Sequence, residues 1–148
     1  MTISFERSHD ILIDAPPQAV FDYVTNPQSW PEWISATHHI DSANRPLTLG
    51  ETFHETWHIR SGDVPMDWTV TTCDSPRLWI VRADTAFMGP IIIQYTCETV
   101  DGRTRFTRTT QNPERPKSPT DDQIARMDAE ATTALGNIKA NVERRVRG

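Results

Sequence analysis

Two charged residues in this 148-residue chain fall on strand faces that are otherwise apolar. In GETFHETWHI (residues 50–59), strand alternation puts Phe53, Glu55, Trp57 and Ile59 on one face and His54, Thr56 and His58 on the other. The first set is bulkier and more apolar, so it faces the interior. In RTRFTRTT (residues 103–110) the same rule turns Thr104, Phe106, Arg108 and Thr110 inward. An inward charge is costly unless it is paired. Either Glu55 and Arg108 pair with each other or reach water at a cavity mouth, or they orient a polar group of an otherwise apolar ligand. The chemistry open to them is holding a phenolic or carboxylate-bearing ligand, and general acid–base work on it.

The neighbouring strands supply apolar walls. Met66, Trp68, Val70 and Thr72 form one inward set, and Ile91, Ile93, Tyr95 and Cys97 another. Residues 78–85 are apolar on both faces, so periodicity alone does not orient them. Trp30, Trp33, Trp57 and Trp68 fall on elements that ring one space, and broad rigid indoles suit flat ring systems. In NPQSWPEWIS (residues 26–35), Asn26-Pro27 starts a short helix and Pro31 starts or kinks its last turn. One indole, Trp30 being the better placed, is expected to face the cavity while the other anchors the helix pair. His54 and His58 share a face but lie roughly 13 Å apart at strand rise, too far to chelate one metal. Cys73 and Cys97 have no base beside them and no metal-ligand spacing. With no glycine-rich phosphate loop and no G-x-S-x-G elbow, neither metal nor cofactor is expected.

These side chains need a scaffold, and the sequence outlines one. A strand over Ile3–Ile13, in which Ile11 and Ile13 are set against Leu12 and His9, ends at Asp14-Ala15-Pro16-Pro17. A helix with Ala19, Val20, Tyr23 and Val24 at helical spacing follows, then the short tryptophan-bearing one. Strands are predicted over 37–41, 52–60, 66–73, 78–85, 91–100 and 103–110, with turns short enough for an antiparallel meander. A proline-rich linker, residues 112–119, ends the β region. Thr120 with Gln123 forms a capping box for a helix whose stripe, Ile124, Met127, Ala131, Leu135, Ile138, Val142 and Val146, runs over about 27 residues.

One domain spanning 1–148 is expected, with 36% hydrophobic and 24% charged residues, as in soluble globular chains. A net charge of −5 and a pI near 5.5 argue against nucleic acid as a partner. Arg144, Arg145 and Arg147 are read as favourable charges at a helix C-terminus. No run is long enough to span a membrane. The opening MTISFERSHDILI lacks the blocks of a signal peptide, and two cysteines make no disulfide framework, so a reduced, cytoplasmic protein is expected.

A long helix with one apolar stripe must lie on the sheet, and a strongly curved sheet is not filled by one stripe, so a cavity is expected between them. Here the chain resembles a known superfamily. DAPPQAVFDYVTNPQSWPEW is similar to the opening of START-like (SRPBCC) domains, and the likeness extends through GETFHETW, SPRLWIVRAD, GRTRFTRT and NIKANVERR. It implies an α+β helix-grip fold: a curved seven-stranded antiparallel sheet wrapped around a long C-terminal helix, with two short helices after the first strand. The polyketide cyclase/dehydrase-like branch is the nearest in pattern. By that resemblance Arg82 falls on a cavity arginine and Tyr95 on a cavity aromatic. Where those cyclases carry a further arginine and a cavity tyrosine, this chain has Thr72 and Thr37.

The first functional expectation is a binder of a small hydrophobic, aromatic or polycyclic ligand. Its contacts are Trp30, Trp33, Phe53, Glu55, Trp57, Met66, Trp68, Val70, Arg82, Ile91, Ile93, Tyr95, Phe106, Arg108, Met127 and Leu135. The second is a polyketide cyclase/dehydratase-type enzyme in which Arg82 and Tyr95 polarise a carbonyl and Glu55 moves a proton. The third is a protein-interaction module whose cavity is filled by side chains. A homodimer is left open.

Overall fold

The described residues of the computed structural model are 2–35, 37–59 and 62–148, with only the backbone described at 37, 38, 58 and 59. Alternation yields seven strands: β1 (Ile3–Ile13), β2 (Thr37–Asp41), β3 (Thr52–Ile59), β4 (Gly62–Asp74), β5 (Leu78–Thr85), β6 (Gly89–Val100) and β7 (Arg103–Arg115). Helix α1 (Pro17–Val24) and a 3₁₀ helix (Pro27–Glu32) cross between β1 and β2, and α2 (Asp121–Arg147) follows β7. The sheet order is β1-β7-β6-β5-β4-β3-β2, antiparallel throughout. Six strands pair as a meander, and β1 returns to pair with the last of them. This is the expected helix-grip architecture. The side chains of Thr37, His38, His58 and Ile59, and all of Arg60, lie outside the described residues.

Several strands outrun their expected ends, and proline explains why. Strand β7 continues to Arg115, absorbing the first half of the stretch read as a linker. Pro113 sits past the last β6 partner (Ile92 with Gln111) and at a bulge against β1, so no ladder needs its missing N–H. Pro65 pairs with Thr56 of β3 before the β5 ladder begins at Thr69, and Pro90 pairs with Asp84 before the β7 ladder begins. Each proline lies where its strand has a single paired neighbour. Treating proline as a strand end cut these elements short.

Helix α2 starts with the capping box: Thr120 Oγ1 accepts from Gln123 N at 3.1 Å, and Gln123 Oε1 accepts from Thr120 N at 2.9 Å. Such a cap contributes about 1 kcal/mol. Its last turn carries Arg144, Arg145 and Arg147, where cations complement the helix dipole. Ala131, Ala134, Leu135, Ile138 and Val142 are its buried residues.

A polar clasp ties the two short helices to α2. Tyr23 Oη donates to Glu32 Oε1 (2.8 Å) and accepts from Asn141 Nδ2 (3.0 Å), while Arg145 bonds Glu32 (2.8 Å) and lies 4.7 Å over the Tyr23 ring. Burial first, and the Glu32 bond second, push the Tyr23 phenol up to about 12.

Candidate ligand cavity

The short element bearing Trp30 and Trp33 is a 3₁₀ turn because Asn26 accepts from Gln28 N through its side chain and Pro27 and Pro31 prevent a longer ladder. Both indoles are then fixed by their N–H groups, Trp30 Nε1 to Val24 O (3.0 Å) and Trp33 Nε1 to Ser29 Oγ (3.2 Å). Trp30 is the hub of an aromatic cluster, with edge contacts to Phe53 at 5.2 Å, Trp33 at 6.1 Å, and Trp68, Trp79 and Tyr95 each at 6.3 Å. Phe53 stacks on Trp68 and Trp79, and Trp79 stacks on Tyr95. Trp30 and Trp33 also line the cavity, so neither serves only as an anchor.

That cavity, of about 510 Å³, lies between the sheet and the N-terminal half of α2. Trp30, Trp33, Glu55, Trp57, Ile91, Ile93, Arg108 and Met127 line it. Besides Met127 and Glu130, the helix side carries the small residues Ala129, Ala131, Thr133 and Ala134, which leave space that larger side chains would occupy. A second concavity, about 570 Å³, sits at the β2–β4 edge and is lined by Asp41, His54, Asp67 and their neighbours. It is the larger figure, but it is more open to solvent, and its His54–Asp67 pair (2.8 Å) belongs to the outer sheet face. The less open and more apolar of the two, between the sheet and α2, is the better ligand site.

Several expected contacts lie elsewhere. Arg82 is a correction: Trp79, Val81 and Ala83 are the buried side chains of β5, so alternation turns Arg82 outward. There it bonds Asp84 at 3.0 Å with its side chain 45% exposed, and it takes no part in the cavity. Phe53, Met66, Trp68, Val70, Tyr95, Phe106 and Leu135 are buried but stand behind the cavity wall or beside it, in the packed core. The two cysteines are free, and burial pushes the Cys97 thiol up to about 12, which leaves it unreactive.

The charges inside are arranged with some care. Glu55, 1% exposed, accepts the Trp68 Nε1–H at 2.9 Å. Arg108 of β7 pairs in register with Tyr95 of β6. Burial pushes the Tyr95 phenol up to about 12; the Arg108 guanidinium beside it opposes that shift and Glu55 adds to it. Yet among the described residues neither Tyr95 Oη nor Arg108 Nε, both buried, has a hydrogen-bond partner. Buried polar atoms without partners are rare in native proteins, and each one asks for a partner.

At the mouth the sequence reading missed a second cluster. His9 was set opposite Ile11 and Ile13, but alternation along β1 puts Phe5, Arg7, His9, Ile11 and Ile13 on one face, under α2. There Arg7 bonds both carboxylate oxygens of Asp128 (2.9 and 2.6 Å), and His9 Nε2 meets Asp128 Oδ1 at 2.7 Å. The Arg7 guanidinium, then His9, hold the Asp128 carboxyl well below the usual carboxylate range. Correct parity along β1 would have put both residues inside. No residue pattern in the helix singles out Asp128.

Among the described residues no group of His, Cys, Asp or Glu is placed to hold a metal ion, and no helix is long and apolar enough to cross a membrane.

Comparison with known proteins agrees with the architecture. The chain is 28% identical to penitrem biosynthesis cluster 1 protein I of Penicillium ochrochloron over 149 aligned positions, covering 95% of this chain and 97% of that one. The crystal structure of the Zhui aromatase/cyclase from Streptomyces sp. R1128 superposes with a TM-score of 0.76 at 16% identity, covering 98% and 97% of the two chains. The solution structure of the Aha1 dimer from Colwellia psychrerythraea gives 0.68 at 21% identity, covering 94% and 96%. The profile of the family described as polyketide cyclase/dehydrase and lipid transport matches residues 2–143, and the chain belongs to that family.

Proposed function

We propose that the protein binds a small hydrophobic ligand, aromatic or polycyclic and bearing an oxygen acceptor, in the cavity between the sheet and α2. The observation that carries this is the aromatic-lined 510 Å³ space with the Arg108 side chain in its wall. A ligand oxygen near Arg108 would meet a cation, and Trp30, Trp33 and Trp57 supply flat apolar surface. The open cavity speaks against a module filled by its own side chains.

Trp30 and Trp33 in the wall make intrinsic fluorescence the direct test. Titration with 1-anilinonaphthalene-8-sulfonate, 2-naphthol and 2-tetralone is expected to quench or shift the emission saturably. If all three leave it unchanged, the proposal fails.

A second reading, a polyketide cyclase/dehydratase-type activity, is supported by the family and by relatives whose names place them in biosynthesis. It requires a catalytic set other than Arg82, which faces solvent. Arg82→Ala is expected to leave the product of a poly-β-ketone assay unchanged.

A further inference from the structure

The proline-rich end of β7 is built around one arginine. Between Asn112 and Arg115 the β1–β7 register slips: Phe5 faces Asn112 and Ile3 faces Arg115, so Pro113 and Glu114 together stand opposite Ser4. Such a bulge reverses the alternation beyond it and re-aims the next side chain. Phe106, Arg108, Thr110 and Asn112 share the inner face of β7, and regular alternation would turn Arg115 outward. The bulge returns it to the inner face, where it lines the cavity with Phe5, Met88 and Asn112. The β5–β6 hairpin makes room for the bulge at Gly89, whose φ is +74° and where a Cβ would lie 2.9 Å from Glu114 O.

The Arg115 guanidinium is held but not neutralised. Nε donates to Lys117 O at 2.7 Å, and Nη1 reaches Met88 Sδ at 3.2 Å and Asn112 Oδ1 at 3.4 Å. The Phe5 ring lies 5.7 Å from it. None of these groups carries a negative charge, and a thioether is a weak acceptor. Nη2 is not closed off by the protein and has no partner among the described residues. No described carboxylate forms an ion pair with Arg115, and burial, which strips water from the cation, lowers its pKa. Arg7, at the same cavity, is different: both oxygens of Asp128 bond it. A cation that has lost part of its water and gained no counter-charge favours an anion.

We infer that Arg115 is a specificity-determining residue of the cavity, holding a carboxylate borne by the otherwise flat, apolar ligand. This rests on the binding reading above and adds to it the charge of the ligand and the residue that anchors it. The carboxylate accepts from Nη2 and from the Nη1 N–H now turned to Met88, the two-point geometry that suits a guanidinium fork. The rings then lie against the apolar lining.

The test compares 2-naphthoate with 2-naphthamide, similar in shape but uncharged, by calorimetric titration at pH 7. The wild type is expected to bind the carboxylate about tenfold or more tightly than the amide, as a hydrogen bond to a charged group allows. Added salt is expected to narrow that margin. Arg115→Gln is expected to bind both alike, at the wild-type affinity for the amide. Arg115→Lys, which keeps the charge and loses the fork, is expected to retain part of the preference. Met88→Glu supplies a carboxylate from within while Arg115 stays in place, and it is expected to abolish the preference. Where Arg115→Gln loses the amide as well, Met88→Glu decides. Equal affinity of the wild type for the two ligands overturns the Arg115 assignment and leaves the binding reading standing. A preference that survives in Met88→Glu, or in an Arg115→Gln that still binds the amide, overturns it as well. If the wild type binds neither of these ligands nor 2-tetralone, both readings fall together.

Discussion

The space between sheet and α2 is built in two ways along one helix. Toward its C-terminus α2 presents Leu135, Ile138 and Val142, which are 0–3% exposed in the core. Toward its N-terminus it presents Ala131 and Ala134, and the 510 Å³ cavity opens beneath them. One apolar stripe therefore serves two purposes, set by side-chain volume. The packed end supplies stability, since each fully buried aliphatic or aromatic side chain contributes about 1.5–3 kcal/mol. The open end forgoes that contact and gains room for a ligand.

The contrast can be broken most severely at the packed end. Ile138 of α2 is fully buried in the core. Ile138→Ala is expected to cost about 2–5 kcal/mol in urea unfolding. A loss under 1 kcal/mol would show that this end is not the packed one.

At the open end the reverse is expected. Ala134→Leu places three more carbons over the cavity, so it is expected to change stability by less than about 1 kcal/mol while weakening probe binding at least tenfold. Equal effects on stability from this change and from Ile138→Ala would erase the distinction.

A third change concerns acid. The folded pKa of Asp128 is depressed, so its contribution to stability is present above the ordinary carboxylate value near 4 and is lost as pH falls through the folded pKa. The urea midpoint of Asp128→Asn is therefore expected to lie below that of the wild type at pH 7, with the gap narrowing below about pH 4. A gap that does not depend on pH would remove the charge from the explanation.

The smallest effect is expected on the outer face. Arg82→Ala removes a solvent-facing pair with Asp84 and is expected to alter stability by less than about 0.5 kcal/mol and probe affinity not at all.

What the sequence made legible follows the same division. Alternation turned Glu55, Trp57, Ile91, Ile93 and Arg108 inward, because each sits on a strand with one clearly heavier face. It was silent for β5, where Leu78 and Ile80 make the outer face apolar too, and there the family pattern misplaced Arg82. The α2 stripe was legible as a helix face. That the cavity follows its alanines depends on what stands opposite them, which no local pattern carries. Asp128 was invisible for the same reason: its partners are 119 and 121 residues away.

That separation bears on how the protein comes into being. Strand β1 is synthesised before its partners: its ladder partner β7 ends at Arg115 and its helical partner begins at Asp121. The meander from β2 to β7 joins sequence neighbours, whereas β1 must wait for nearly the whole chain. Closing so long a loop before any contact rewards it is the slow step of a high-contact-order fold. His9, which lines the cavity beside Arg108, is brought there by that same closure, so the cavity wall is complete only once β1 has paired.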